Sequence, residues 1–168
     1  MKPWERFAEA SVEGEIQRPP WSLEWEDPEL VNLKQDEGFR DTAYKDSVGV
    51  KTIGYGTAAT GGRDIPEKID LQTAESWLRE DVRKAREKVD KLVPDADQQV
   101  KDILTNMTYQ MGGTGVRGFS KMIKAIKVGD YEEAAEQMLK SDWANQTPNR
   151  ASRLADRMRS INSSDNSG

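Results

Sequence analysis

The sequence predicts an α+β fold, mostly helical, in which a small β-hairpin lobe and a helical-bundle lobe flank a cleft. Two observations carry this. After Gly38 the apolar spacing leaves the helical period and runs as short strands punctuated by glycines as far as Gly56. From Asp70 onward it steps by three and four in one amphipathic segment after another. The length of 168 residues suits one ordinary domain with a real core.

The elements follow in order. Residues 1–26 form a distinct acidic arm, holding Trp4, Trp21 and Trp25 with Pro3, Pro19 and Pro20; a short helix over residues 5–16 is expected, broken before the proline pair. Asp27-Pro28 is a good helix start, and Leu30, Leu33 and Glu37 then share one face, so that Glu37 continues the apolar stripe. Gly38 ends that helix. Tyr44-Lys45-Asp46, a turn through Ser47-Val48-Gly49 and then Val50 to Tyr55 read as a hairpin. A second turn at Thr60 to Asp64 is followed by a short third strand near Ile65.

The rest is helical. Trp77, Leu78, Val82, Ala85, Val89 and Leu92 line a long helix after Asp70. Val100 to Met111 form a second, stopped by Gly112-Gly113. Phe119 to Ile126, Tyr131 to Leu139, and a helix starting at Thr147-Pro148 complete a bundle of five. The domain is expected to span 27–161, with a frayed tail over 162–168.

Composition narrows the chemistry. The chain has no cysteine and no histidine, which excludes disulfides, thiolate and histidine metal sites, and a histidine general base. The reading calls for no cofactor and no metal. Residues 1–30 carry three basic and eight acidic side chains, whereas the remaining 22 and 22 cancel. Nucleic-acid binding needs a stronger basic excess and is disfavoured. No apolar run or secretory h-region argues for membrane insertion or direct export, so cytoplasmic synthesis as a monomer is expected.

Any chemistry must then run on Asp, Glu, Lys, Arg, Tyr, Ser or Thr. The natural candidate is a pair of carboxylates in unlike environments, one an acid and one a base or orienting group, as glycoside hydrolysis requires. Glu37, on an apolar face at a helix end, is placed for its protonated form to be favoured by desolvation. Asp46, at a polar turn, should stay ionised. Each also has a plain structural reading: Asp46 as a turn former, Glu37 as a boundary residue, Thr52 as a strand residue. Arg150 sits at the wrong end of a helix dipole, which points to an anionic partner or a surface salt bridge.

Read together, three blocks resemble the T-even-phage-type lysozymes, glycoside hydrolase family 24. They are Glu37-Gly38-Phe39-Arg40 with Tyr44 to Gly56, Asn106 to Val116 with Gly118-Phe119, and Trp143 to Ala151 with Arg153. The resemblance implies a lysozyme-like fold and cleavage of the β-1,4 bond between N-acetylmuramic acid and N-acetylglucosamine in peptidoglycan. Glu37 matches the general acid, and Asp46 and Thr52 match residues that hold and activate water in an inverting reaction. Such a reaction leaves about 6.5–9.5 Å between the carboxyl groups. Arg150 matches a residue that pairs with the acid, and Tyr109 and Gln110 fall beside the sugar cleft.

The resemblance further implies a host-lysis protein that reaches the wall through a separate holin, or a virion-borne lysin. A lytic transglycosylase and an inactive wall-binding virion protein are the alternatives, both disfavoured by the presence of Asp46 and Thr52 beside Glu37. Thr57 stands where relatives carry a histidine that pairs with an acid matching Asp81, so that ion pair must be lost or supplied elsewhere. Ala58 and Met122 replace substrate-contacting positions.

Overall fold

The computed structural model describes residues 27–59 and 62–165, with side chains as far as Ile161. The acidic arm with its expected helix, and Thr60-Gly61 of the second turn, lie outside the described residues.

Helix α1 (Pro28–Glu37) opens as its caps dictate. The Asp27 side chain accepts from the Glu29 amide, and Gly38, at φ 68°, closes the helix by donating to the Lys34 carbonyl. A three-stranded antiparallel sheet follows, in the order β1 (Arg40–Lys45), β2 (Lys51–Gly54), β3 (Thr57–Ala58). Tyr44 pairs with Thr52 and Thr52 with Ala58, while the register shifts between Arg40 and Tyr44.

The third strand comes earlier than the sequence reading put it, and near Ile65 the chain makes only an isolated antiparallel bridge, Lys68 to Thr42 of β1. Gly54 and Gly56, at φ 67° and 79°, turn the chain sharply after β2, so pairing resumes at once at Thr57. Ile65 lies outside any strand and is a buried core residue.

Six helices then form the larger lobe: α2 (Leu71–Leu92), α3 (Gln98–Arg117), α4 (Ser120–Lys127), α5 (Tyr131–Leu139), α6 (Asp142–Gln146) and α7 (Pro148–Asp165). Two differences from the expected bundle of five stand out. Gly112 does not end α3 but kinks it, at φ 81° and ψ 163°, and helical turns resume to Arg117. The short α6 has too few residues to show a period; the Ser141 side chain starts it by accepting from the Ala144 amide.

Two hydrophobic cores result. The smaller gathers Leu30, Leu33, Ile53, Tyr55 and Ile65 around Ala74, Leu78 and Val82 of α2. The larger begins at Val89 of the same helix and takes in α3 to α7. At 22 residues, or about 33 Å, α2 is long enough to serve both. This one element therefore joins the lobes.

The ion pair that Thr57 cannot make is supplied by another residue. Arg63 Nη1 donates to Asp81 Oδ2 at 2.9 Å, its Nη2 lies 2.9 Å from Glu80, and its guanidinium stacks 5.1 Å from the Trp77 ring. The loop after β3 thus ties itself to α2 by a different route.

Candidate active site

Glu37 is the last residue of α1, and two neighbours define its position. Its Oε1 accepts from Arg150 Nη1 at 2.9 Å, across 113 residues of chain. Its Oε2 faces the β2–β3 turn so closely that a Cβ on Gly56 would stand 2.8 Å away. The side chain retains 19% exposure, so it is not sealed from solvent. Gly56 has no side chain because the acid fills that space, and its φ of 79° also disfavours any other residue.

Gly56→Ala should therefore cost about 1–3 kcal/mol of stability and displace the Glu37 carboxyl. Initial rates measured well below the melting temperature should fall by more than the folded fraction does; a rate loss equal to that fraction would remove the steric claim.

Beneath Glu37 lies a buried polar network. Arg150, only 8% exposed, donates from Nε to Asn106 Oδ1 at 2.9 Å and lies 3.6 Å from Asp36 Oδ2. The Asn106 amide nitrogen donates to Asp36 at 3.2 Å and to Glu29 at 3.1 Å. Arg153 closes on Asp36 and Arg157 on the fully buried Glu29. Asp36 and the acid above it thus offset the unfavourable placement of a cation in the first turn of α7.

The hairpin brings the other two residues. Asp46 Oδ1 accepts the amides of Val48 at 3.0 Å and Val50 at 2.9 Å, so Asp46 does shape the turn as its plain reading holds. Both bonds use one oxygen, which leaves Oδ2 as the oxygen that can address a water. Thr52 is buried in the central strand and donates to the Val50 carbonyl at 3.0 Å, so its oxygen serves as an acceptor.

Tyr44, which the sequence reading did not single out, joins this group. Its phenol is pushed above the ordinary range by burial; Arg40 opposes this, and the negative charges of Glu37 and Asp46 add to it. Both carboxylates therefore act on this hydroxyl. The guanidinium of Arg40 covers its ring at 4.4 Å. The available signal was the strand register, which sets Tyr44 opposite Thr52.

The cleft itself is a depression of about 470 Å³ walled on one side by Gly56, Thr57 and Ala58 and on the other by Tyr109, Gln110 and Gly112. Tyr109 is both a core and a cleft residue: its ring packs on the smaller core and its hydroxyl donates to the Tyr55 carbonyl. Burial, then the charges of Glu37 and Asp81, push its phenol far up, so it stays neutral. Gln110 Oε1 accepts from Trp143 Nε1 at 2.7 Å, which fixes the amide that faces the cleft. Arg150 lies under Glu37, with Nη1 on Glu37 and Nε on Asn106, while its buried Nη2 has no hydrogen-bond partner among the described residues. Met122 is fully buried in the larger core.

Residues 34–160 match the family model described as phage lysozyme. The chain is 30% identical over 149 residues to "Probable T4-type lysozyme 2" of Dictyostelium discoideum, covering 73% of this chain and 88% of that protein. It is 28% identical over 123 residues to "Endolysin" of Salmonella phage P22, covering 71% and 84%. It is also 30% identical over 148 residues to "Pre-baseplate central spike protein Gp5" of Enterobacteria phage T4, covering 73% of this chain and 26% of the spike protein.

Proposed function

The chain belongs to the phage lysozyme family, and from that premise we propose that it is a muramidase that cleaves the β-1,4 bond between N-acetylmuramic acid and N-acetylglucosamine with inversion. The observation that carries this reading is the placement of Glu37. Arg150 and Gly56 fix it beside the turn that walls the cleft, and the hairpin leading into that turn bears Asp46 and Thr52.

In this reading protonated Glu37 donates to the glycosidic oxygen as the bond to the anomeric carbon breaks. A water held by Thr52 and Asp46 attacks that carbon from the opposite face and gives its proton to Asp46. Arg150 then faces the carboxylate that Glu37 becomes. Tyr109 and Gln110 offer the sugars an aromatic edge and a fixed amide.

Digestion of purified peptidoglycan tests this. Reducing-end muropeptides with an inverted anomeric configuration, read by mass spectrometry and by proton NMR at early times, are the expected products; 1,6-anhydro ends would establish a lytic transglycosylase instead. Asp46→Asn should lower kcat by about 10²-fold or more. A variant within threefold of the parent would remove Asp46 from the water-activating role.

A particle-borne role is the second reading, favoured by the likeness to a baseplate spike protein. A lysis role would need a separate holin to pass the protein to the wall. Detection of the chain in purified virions separates the two.

A further inference from the structure

One buried charge has no part in the chemistry proposed above. Glu29, in the first turn of α1, is fully buried and lies eight residues, about 12 Å, along the helix from Glu37. Burial of a carboxylate is costly, and even a well-paired one seldom adds net stability.

Its two oxygens are used differently. Oε1 accepts from Asn32 Nδ2 at 3.2 Å and from Arg157 Nη2. Oε2 accepts from Asn106 Nδ2 at 3.1 Å, its one hydrogen bond among the described residues. The first oxygen thus ties α1 to α7, and the second is given to a buried amide of α3.

That amide is the link to Glu37. Asn106 is fully buried, and its Nδ2 hydrogens both go to carboxylates, Glu29 Oε2 and Asp36 Oδ2. Its Oδ1 is left to accept from Arg150 Nε at 2.9 Å, while Arg150 Nη1 reaches Glu37. Turned over, the amide would set its hydrogens against Arg150 and its oxygen against two carboxylates. Glu29 is one of the two acceptors that select the orientation observed. The guanidinium also has another place to turn. Asp36 Oδ2 lies 3.6 Å from Arg150 Nε, and Arg150 Nη2 has no hydrogen-bond partner among the described residues.

We propose that Glu29 is a positioning residue for Glu37. By holding the Asn106 amide it keeps Arg150 Nε on the amide oxygen and Nη1 on Glu37, and so keeps the guanidinium from turning to Asp36. The inference rests on the reading of Glu37 as the acid and adds a residue to it. Glu29 is not among the residues that line the cleft, so its loss acts on kcat and leaves KM alone.

The test variant is Glu29→Met, which keeps much of the volume and removes both acceptors. Arg157, whose side chain is 36% exposed, can then turn to solvent, so no buried charge is stranded. Well below the melting temperature, kcat should fall about threefold to tenfold, with KM within about twofold of the parent. Arg86→Met is the comparison. It deprives Asp27 and Asp102 of their shared cation and loosens the same end of α1 without touching Asn106. Its melting temperature should fall too, and its kcat should be that of the parent. Glu29→Gln keeps the shape and one acceptor, and should show the kcat loss to a smaller extent.

Hydrogen exchange at Arg150 Nε, followed by nitrogen-15 NMR on the free protein, reads the bond to Asn106 directly. It should be slow in the parent and in Arg86→Met, and about tenfold faster in Glu29→Met. A kcat loss shared equally by Arg86→Met would make Glu29 merely structural and overturns the proposal. So does a parental kcat in Glu29→Met, a change confined to KM, or unchanged exchange at Arg150. If the parent releases no reducing ends, the muramidase reading is what has failed, and the exchange measurement then decides the Glu29 link by itself.

Discussion

Glu37→Gln is expected to lower the release of reducing ends by about 10²–10⁴-fold while the protein remains folded at the assay temperature. The amide keeps the shape of the carboxyl, and its oxygen can still accept from Arg150 Nη1, which lies 2.9 Å from Glu37 in the native protein. The packing against Gly56 is likewise kept. What is lost, in the proposed reading, is the proton that Glu37 would give to the leaving oxygen. The variant therefore separates chemistry from architecture, provided circular dichroism and a thermal melt accompany the assay. Activity within tenfold of the parent would mean that another group protonates the leaving oxygen, and the roles given to Asp46 and Thr52 would fall with it.

Arg150→Met is expected to lower unfolding stability by about 3 kcal/mol, with a melting temperature about 10 °C lower. Methionine fills much of the volume but leaves Asp36, 4% exposed, and Glu37 without the cation that lies between them. It also strips Asn106 Oδ1 of its donor. A buried ion pair replaced as a whole can be neutral, whereas loss of one partner strands the other. Arg153 still reaches Asp36, which is why the expected loss lies at the lower end of the range. Arg150→Lys should recover only part of it, because a single ammonium cannot serve Glu37 and Asn106 with separate donors as the planar guanidinium does. Urea unfolding measures both variants. A loss below about 1 kcal/mol for Arg150→Met would mean that water replaces the arginine at little cost.

Much of the fold was legible because its signals are local. Asp27 and Gly38 bound α1 through bonds to residues two and four positions away, and the alternation of three and four along α2 needs only its own residues. The third strand was misplaced because its position depends on how tightly Gly54 and Gly56 turn, and many backbone paths suit a glycine. At Gly112 the glycine signal was right about the break, and helical turns resume beyond it as far as Arg117.

The candidate site divides along the same line. Sequence alone determined that cysteine and histidine take no part, that Glu37 ends a helix on its apolar side, and that Asp46 and Thr52 lie in the adjoining hairpin. Only the tertiary structure decided what surrounds them. Nothing local marks Glu29 as a charge to be fully buried, because its partners Asn106 and Arg157 come from 77 and 128 residues away. Nothing local shows that Arg63 would take up Asp81, or that Tyr44 would feel both carboxylates. Periodicity and capping are properties of neighbouring residues and can be read in order along the chain. The cost of burying a charge is offset only by groups that folding brings beside it, and it is fixed by the packing of the two lobes.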